Sequence, residues 1–497
     1  MKNWILFTLT AVIVFLLAML AYSIMDRKTE ARFAYQPKVQ IEGIEPRDSV
    51  WGLNYPRQYQ SYMKTQDTTF KSMYNTSGFK DVLADQPELV ILWAGYAFSK
   101  DYNHPRGHAY AVTDVQNTIR IGSPMAPGEG PQPSTCWTCK SPDVPRLMSE
   151  MGVTEYYSQK LSDLGTEVIN PIGCADCHNP QTMNLTITRP ALVEAFEAMG
   201  KDVSKASHQE MRSLVCAQCH VEYYFDKNKP GKENAAYLTF PWKDGMTVEN
   251  MEAYYDNIDF SDWTHPISKA RMLKAQHPDY ELFEMSVHAK RGVSCADCHM
   301  PYKNEGGQKF TDHHIGSPLS NVENSCFVCH REKQSDLITD VYDRQRKVKE
   351  GSSKLQKLIA MAHIEAGKAW ELGATEEQMK DILTGLRHAQ WRWDYVVASH
   401  GGAFHAPLES SRIVTSGTEI IQDTRIKLAR LLASMGHNKP VEMPDFSSKA
   451  ALQAYIGLDM DKERADKVNF LDQVVPQWLK EGKAREAKKE VKTLSSR

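Results

Sequence analysis

All ten cysteines of this 497-residue chain fall into five C-x-x-C pairs, and that spacing constrains the fold more than any other feature. The pairs are Cys136/Cys139, Cys174/Cys177, Cys216/Cys219, Cys295/Cys298 and Cys326/Cys329. Four are followed at once by histidine (His178, His220, His299, His330), the first by Lys140. A lone C-x-x-C is more often a zinc knuckle or a redox dithiol. Zinc takes such pairs in twos, however, and five is odd. C-x-x-C-H is the attachment signature of c-type haem, in which both thiols bond the porphyrin edge and the histidine becomes an axial iron ligand. With 17 histidines in the chain, four or more of five pairs gaining one by chance is on the order of one in 10^5.

The pairs therefore read as five covalent haem sites in a multihaem cytochrome c. The first cysteines are separated by 38, 42, 79 and 31 residues, so there is no repeat period and no solenoid. Each haem must be placed individually, and the fold expected is mainly α with an irregular haem-packed core. From Ser49 to about Glu332 the chain is dense in Cys, His, Pro, Gly and aromatic residues. After that its texture changes: residues 336–372, 375–399, 411–435 and 448–492 each have helical spacing with few breakers. Thr375 with Gln378 forms a capping box, and Gly373 is a stop just before it. The expected organisation is an N-terminal membrane segment over 1–25, a tether over 26–48, a haem-binding catalytic region over 49–335, and a long-helix region over 336–497. With 24% charged residues and a net charge of -3, the composition points away from nucleic acid.

Trp4 to Met25 is an uncharged run long enough to cross a bilayer as a helix. A cleaved signal has a shorter apolar stretch ending at a small-x-small site, for which Ala21-Tyr22-Ser23 is a poor match. The reading favoured is an uncleaved anchor over a cleaved signal. Either exports the body of the protein, in agreement with haem attachment outside the cytoplasm.

Lys140 makes one haem different in kind. Two imidazoles saturate a haem iron, leaving it able to pass electrons but not to bind a substrate. An ammonium group cannot ligate, so a lysine ligand must first lose a proton from a group of reference pKa about 10.4, at a cost of about 4 to 5 kcal/mol at pH 7. The alternative is an ordinary exposed lysine, with another side chain on that iron. Outside the motifs 13 histidines remain, ample for four distal ligands and one more group. Those near motifs or glycines are His104, His108, His277, His288, His313, His314, His400 and His405; spacing alone does not pair them with haems. His208, His265, His363, His388 and His437 read as structural.

From the tether onward the chain resembles the pentahaem cytochrome c nitrite reductases of the ammonia-forming type. Cys136-Trp137-Thr138-Cys139-Lys140 is the most specific match, beside Thr118-Ile119-Arg120, the run from Cys216 to Tyr224, Lys274-Ala275-Gln276-His277-Pro278, and the segment from His400 to Pro407. The resemblance implies that the Lys140 haem is the active site, with Arg120, Tyr223 and His277 on its distal side. Arginine suits anion anchoring because it stays charged, and histidine can exchange a proton near neutral pH. It also implies a calcium ion held by the Glu222 carboxylate, the carbonyls of Tyr223 and Lys274 and the side-chain oxygen of Gln276, all hard donors. For the distal ligands it implies His108 opposite His220, His314 opposite His178, His405 opposite His299 and His288 opposite His330.

The activity so implied is dissimilatory reduction of nitrite to ammonium by six electrons, with four bis-histidine haems relaying them. The cofactors are five haem c and one calcium ion. The electron donor implied is a membrane tetrahaem quinol dehydrogenase, the assembly a homodimer formed through the long helices, and the location the periplasmic side of the cytoplasmic membrane. Two alternatives stand beside it: an electron carrier in which all five irons are six-coordinate, and a reductase of the same fold acting mainly on hydroxylamine, nitric oxide or sulfite.

Overall fold

The computed structural model describes residues 2–33, 37–232 and 235–494. Residue 1 of the membrane segment, 34–36 of the expected tether, 233–234 of the haem-binding region and 495–497 of the long-helix region lie outside the described residues. The protein is mainly α, as expected. Among the described residues the only sheets are four two-stranded antiparallel ladders.

In the cysteine-rich region the helices are short and individually stopped. Pro190 opens Pro190–Ala198, Ser207 and Glu210 cap His208–Ala217 with a reciprocal box, and Gly152, at φ +92°, ends Asp143–Met151. Two ladders aim functional segments. Tyr224–Asp226 pairs with Tyr237–Thr239 directly after the third motif, and Trp263–Thr264 pairs with Arg271–Met272 directly before Lys274.

Three long helices follow: Gln334–Glu371, Glu376–Ala398 and Pro407–Ser434. The Thr375–Gln378 box is present, and Gly373 sits at φ +90° in the stop before it. Pro407 at the first turn starts the third helix ahead of Ser411. The three pack on one another through Leu355 and Ile359, Met379, Ile382 and Leu386, and Ile413, Ile421 and Leu428, all fully or almost fully buried. At the crossing there is no room for side chains: a Cβ on Gly417 would lie 2.8 Å from Leu355 Cδ2.

Two expectations are corrected. The 448–492 stretch is not one helix but Lys449–Tyr455, Met460–Asn469, a π turn over Phe470–Val474 and Val475–Glu486. Gly457, at φ +77°, breaks it once. The π turn accommodates Pro476, which has no N–H and whose ring would crowd the carbonyl four residues back. The 26–48 stretch is not a free tether either. The N-terminal helix runs on from the apolar, exposed span to Phe33. From Val39 the chain is packed: Val39 and Ile41 join Val50, Trp51 and Ala175 in a small second core. Asn54 Oδ1 accepts from the N–H groups of Lys38 and Val39 at 2.8 and 3.0 Å. The Gln40 N–H donates to Lys492 O, and the Leu494 N–H to Lys38 O. Two alternating apolar residues are too few to register as a strand in sequence.

Replacing Gly417 by Val should force the helix crossing apart at a cost of about 1–3 kcal/mol. The check is a lower thermal midpoint of the haem-loaded protein, with haem content unchanged.

Candidate functional site

One branching cavity of about 3640 Å³ runs through the cysteine-rich region, and all ten cysteines line it. None of them forms a disulfide. His178, His220, His299 and His330 line it as well, with Lys140 in the corresponding place after the first motif.

Four imidazole pairs face one another in this cavity. Ring centres lie 6.3 Å apart for His108 and His220, 6.2 Å for His178 and His313, 6.2 Å for His299 and His405, and 6.3 Å for His288 and His330. A metal bonded to both ring nitrogens at about 2 Å, with each ring centre about 1.1 Å beyond its nitrogen, would put the centres about 6.2 Å apart. The four spacings therefore fit an iron between each pair. Several Nδ1 atoms are fixed from behind, at 3.0 Å from Met183 O for His178, 2.8 Å from Gly316 O for His299 and 2.8 Å from Thr311 O for His313. Such bonds orient a ring so that Nε2 is the free ligand atom.

One placement differs from expectation: the ring opposite His178 belongs to His313, not His314. Adjacent residues in extended backbone point to opposite sides, and the Asp312 side chain holds the His314 N–H at 3.1 Å. The His314 ring instead lies in the field of Lys303, Lys64 and Asp67. His405, not His400, faces His299. His400 Nδ1 is 3.1 Å from His277 Nε2, and the His104 ring lies beyond it, tilted, with ring centres 5.5 Å apart. His265 and His363 form a fully buried stacked pair with ring centres 3.9 Å apart, tied to Ile91, Ser268 and Gln390, and so belong to the core.

Arg120, Lys140, Tyr223 and His277 line the same cavity. Arg120 follows a helix end, where Asp101 accepts from the N–H groups of Ile119 and Arg120 at 2.9 and 3.1 Å. Its guanidinium lies over the Phe98 ring, 4.3 Å from the centre. Gln132 connects this turn to the first motif, donating to Arg120 O and accepting from Cys136 Sγ. In the motif itself Trp137 is fully buried, with its indole N–H on Leu161 O at 3.0 Å. Tyr223 enters from the short link between the third motif and the 224–226 strand, stacked on Phe225. Burial holds its hydroxyl well above the ordinary range, and burial also pushes the His277 ring well below its own.

The segment 274–279 is clamped at both ends by the long-helix region. Asp394 accepts from Lys274 Nζ at 2.8 Å and from the Ala275 N–H at 3.2 Å. Asp279 Oδ1 accepts from Ser399 Oγ and the Gly401 N–H, while Oδ2 lies 3.1 Å from His277 Nε2 and 3.6 Å from His220 Nδ1. Behind the wall, Glu222 is completely buried and accepts from Tyr255 Oη at 2.9 Å and the Gln276 N–H at 2.6 Å. Gln276 Nε2 donates to Lys274 O at 3.1 Å. Turning that amide half a rotation would set its oxygen beside the same carbonyl, near Glu222. Glu281 stands next to them, accepting from the Glu222 N–H, with its second oxygen unpartnered. Burial pushes the Glu222 carboxyl well above the carboxylate range. This crowd of hard oxygens, short of positive charge, fits a calcium ion.

Sequence reasoning did not find Asp279, Asp394, Glu281 or Arg189. Arg189 is the joint of the array. Its side chain, almost fully buried, donates to Thr138 O, Ser141 O and Asp176 Oδ1 at 2.8, 2.8 and 2.6 Å. It thereby brackets Lys140 and reaches between Cys174 and Cys177. Gln218, between the third pair of cysteines, donates to Asp176 O and accepts from the Arg189 N–H. Arg212 on Asp297 and Ser325 Oγ on Cys298 O continue the connection to the fourth and fifth motifs. Arg189→Gln leaves Asp176 a buried charge without its cation, with the Gly173 N–H remaining on it, at a cost of about 3–5 kcal/mol. The expected result is a lower thermal midpoint together with incomplete haem loading, read by haem-to-protein ratio.

Comparison with known proteins agrees with this architecture. The cytochrome c552 family matches residues 48–489. Cytochrome c-552 of Parabacteroides distasonis is 57% identical over 97% of this chain and 96% of its own length. That of Porphyromonas gingivalis is 52% identical over 97% and 96%. Among solved structures, the catalytic subunit of cytochrome c nitrite reductase from Desulfovibrio desulfuricans, described with two calcium sites, superposes with a TM-score of 0.74 at 33% identity, covering 84% of this chain and 90% of that one. Five C-x-x-C motifs around one cavity and similarity along nearly the whole chain lead to one conclusion: this protein belongs to the cytochrome c552 family of multihaem c-type cytochromes.

Proposed function

We propose that this protein reduces nitrite to ammonium by six electrons at the haem attached through Cys136 and Cys139, with the Lys140 amine as proximal ligand. The observation that carries this reading is the asymmetry of the cavity. Four motifs have an imidazole facing their histidine at 6.2–6.3 Å, while the first carries Lys140, with Gln132 joining it to the Arg120 turn, Tyr223 in the field of Cys136 and Cys139, and His277 in that of Lys140. The nitrite reductase relationship of the Desulfovibrio desulfuricans structure supports the choice of substrate. The haems, when bound, supply the electrons and the Lewis-acid site for the anion.

The chain's own residues do the rest. Arg120, held by Asp101 and Gln132, offers a fixed cationic donor to the nitrite oxygens. His277, backed by Asp279 and His400, is placed to pass protons inward as N–O bonds break. Tyr223 offers a hydroxyl from a rigid stacked position. Glu222, Gln276, Lys274 and the Tyr223 carbonyl would hold calcium, whose charge offsets the buried carboxylates and stiffens the link carrying Tyr223. His108 with His220, His178 with His313, His299 with His405 and His288 with His330 would hold the other four haems, which would carry electrons. An electron donor of the membrane tetrahaem quinol dehydrogenase type, a homodimer through the long helices, and a periplasmic location with the 1–25 helix as anchor complete the reading; the exposed apolar helix supports the last.

Lys140→Leu should lower nitrite turnover by at least about a hundredfold while the other four haems stay attached, assayed by reduced-viologen oxidation and haem stain; retained turnover would sink the mechanism. His313→Ala should convert one low-spin haem to high spin in electron paramagnetic resonance, whereas His314→Ala should leave the spectrum as it is. The opposite pattern would restore His314 as the ligand.

A further inference from the structure

The C-terminal stretch that the sequence reads as one continuous helix is instead broken into a strap that grips the loop bearing Arg120. Gln453 Nε2 donates to Ser99 O and Lys100 O at 3.0 and 2.9 Å. Glu463 pairs with Lys100 at 2.5 Å. Lys467 Nζ donates to Gln116 O at 3.2 Å and Gly122 O at 2.5 Å. These last two carbonyls bracket Arg120: Gln116 is in the final turn of Ala111–Asn117, and Gly122 follows the turn Ile119–Ile121. Carbonyls at helix ends have no partner within the helix, and a cation is favoured there.

Lys467 is 4% exposed. Its bonded partners are carbonyls rather than carboxylates; Asp101 and Glu463 are the acids that act on it from a distance. Phe470 covers the ammonium on a further side, with the ring centre 4.6 Å away. Asp101 is the same carboxylate that receives the Ile119 and Arg120 N–H groups, so it is already occupied on the Arg120 side. The result is a buried positive charge bonded to the backbone on both sides of Arg120 in the chain.

We propose that Lys467 is a positioning residue of the anion pocket: its ammonium closes the loop on both sides of Arg120 and adds a buried positive charge to that loop, so setting the affinity for an anionic substrate. This rests on the reading of Arg120 as the anchor for nitrite. A neutral donor could bridge the same two carbonyls, so fold alone does not require the charge. Burial lowers the Lys467 amine to about 8, against the pull of Asp101 and Glu463. In the unfolded chain it keeps its proton to about 10.5. The cost of burying the ammonium is therefore fully present below pH 8 and is relieved between about 8 and 10.5. The charge opposes stability through the physiological range and serves the pocket instead.

The experiment uses the ferric, haem-loaded protein and reads nitrite affinity by optical titration, which needs no turnover. Lys467→Gln keeps a donor and loses the charge; Lys467→Arg keeps both. The Gln variant should bind nitrite about tenfold more weakly and raise KM more than it changes kcat, and the Arg variant should restore affinity. Wild-type affinity should fall as pH rises through about 8, a step missing from the Arg variant. Affinity of the Gln variant equal to wild type, or a pH step that survives in Lys467→Arg, overturns the proposal. Should the Gln variant not fold, the wild-type and Arg pH profiles decide it. Nitrite binding without turnover in the wild type would count against the functional reading alone.

Discussion

The contact on which the array depends is the buried ion pair between Arg189 and Asp176. One guanidinium reaches backbone on both sides of Lys140 and a carboxylate inside the second motif. The third motif joins through Gln218. A buried pair of this kind contributes little net stability, because desolvating two charges offsets most of their attraction. What it supplies is geometry: three attachment loops held in one register while the space between them is left for cofactors. A core of this sort cannot be specified by apolar packing alone, since its largest components are not side chains.

The long-helix region fixes the candidate site from the other side. Asp394, Ser399 and Gly401 hold the two ends of the 274–279 segment. Trp93 and Trp393, fully buried with ring centres 5.9 Å apart, fill the space between the regions. Hence His277 stands on a short loop yet is fixed by rigid elements. The long-helix region, expected to pack on the haem-binding region and to supply His405, also forms this wall of the candidate site.

Much of this was legible in the sequence, and the exceptions have physical causes. The C-x-x-C spacing is a local signal, so the five pairs and the lysine standing where the others have histidine could be read directly, and the structure sets all of them around one cavity. The Thr375–Gln378 box and Gly373 are equally local and are present in the fold. Choosing between His313 and His314 required knowing which side of an extended segment faces the cavity, and that is set by distant residues. Arg189, Asp279 and Asp394 carry no motif; their roles come from partners tens to hundreds of residues away. The helix breaks at Gly457 and at Phe470–Val474 go back to two single residues, Gly457 and Pro476, whose signal the helical spacing around them outweighed.

The pairing of residues 38–40 with residues 492–494 also binds an early segment of the folded body to a late one. Residues 38–41 already rest on Asn54, Val50 and Trp51 close by in sequence, yet their remaining backbone groups find Lys492 and Leu494, and all five C-x-x-C pairs lie in the chain between. A contact of such sequence separation is entropically demanding to close, so the seam works as a latch on the body rather than as its starting point.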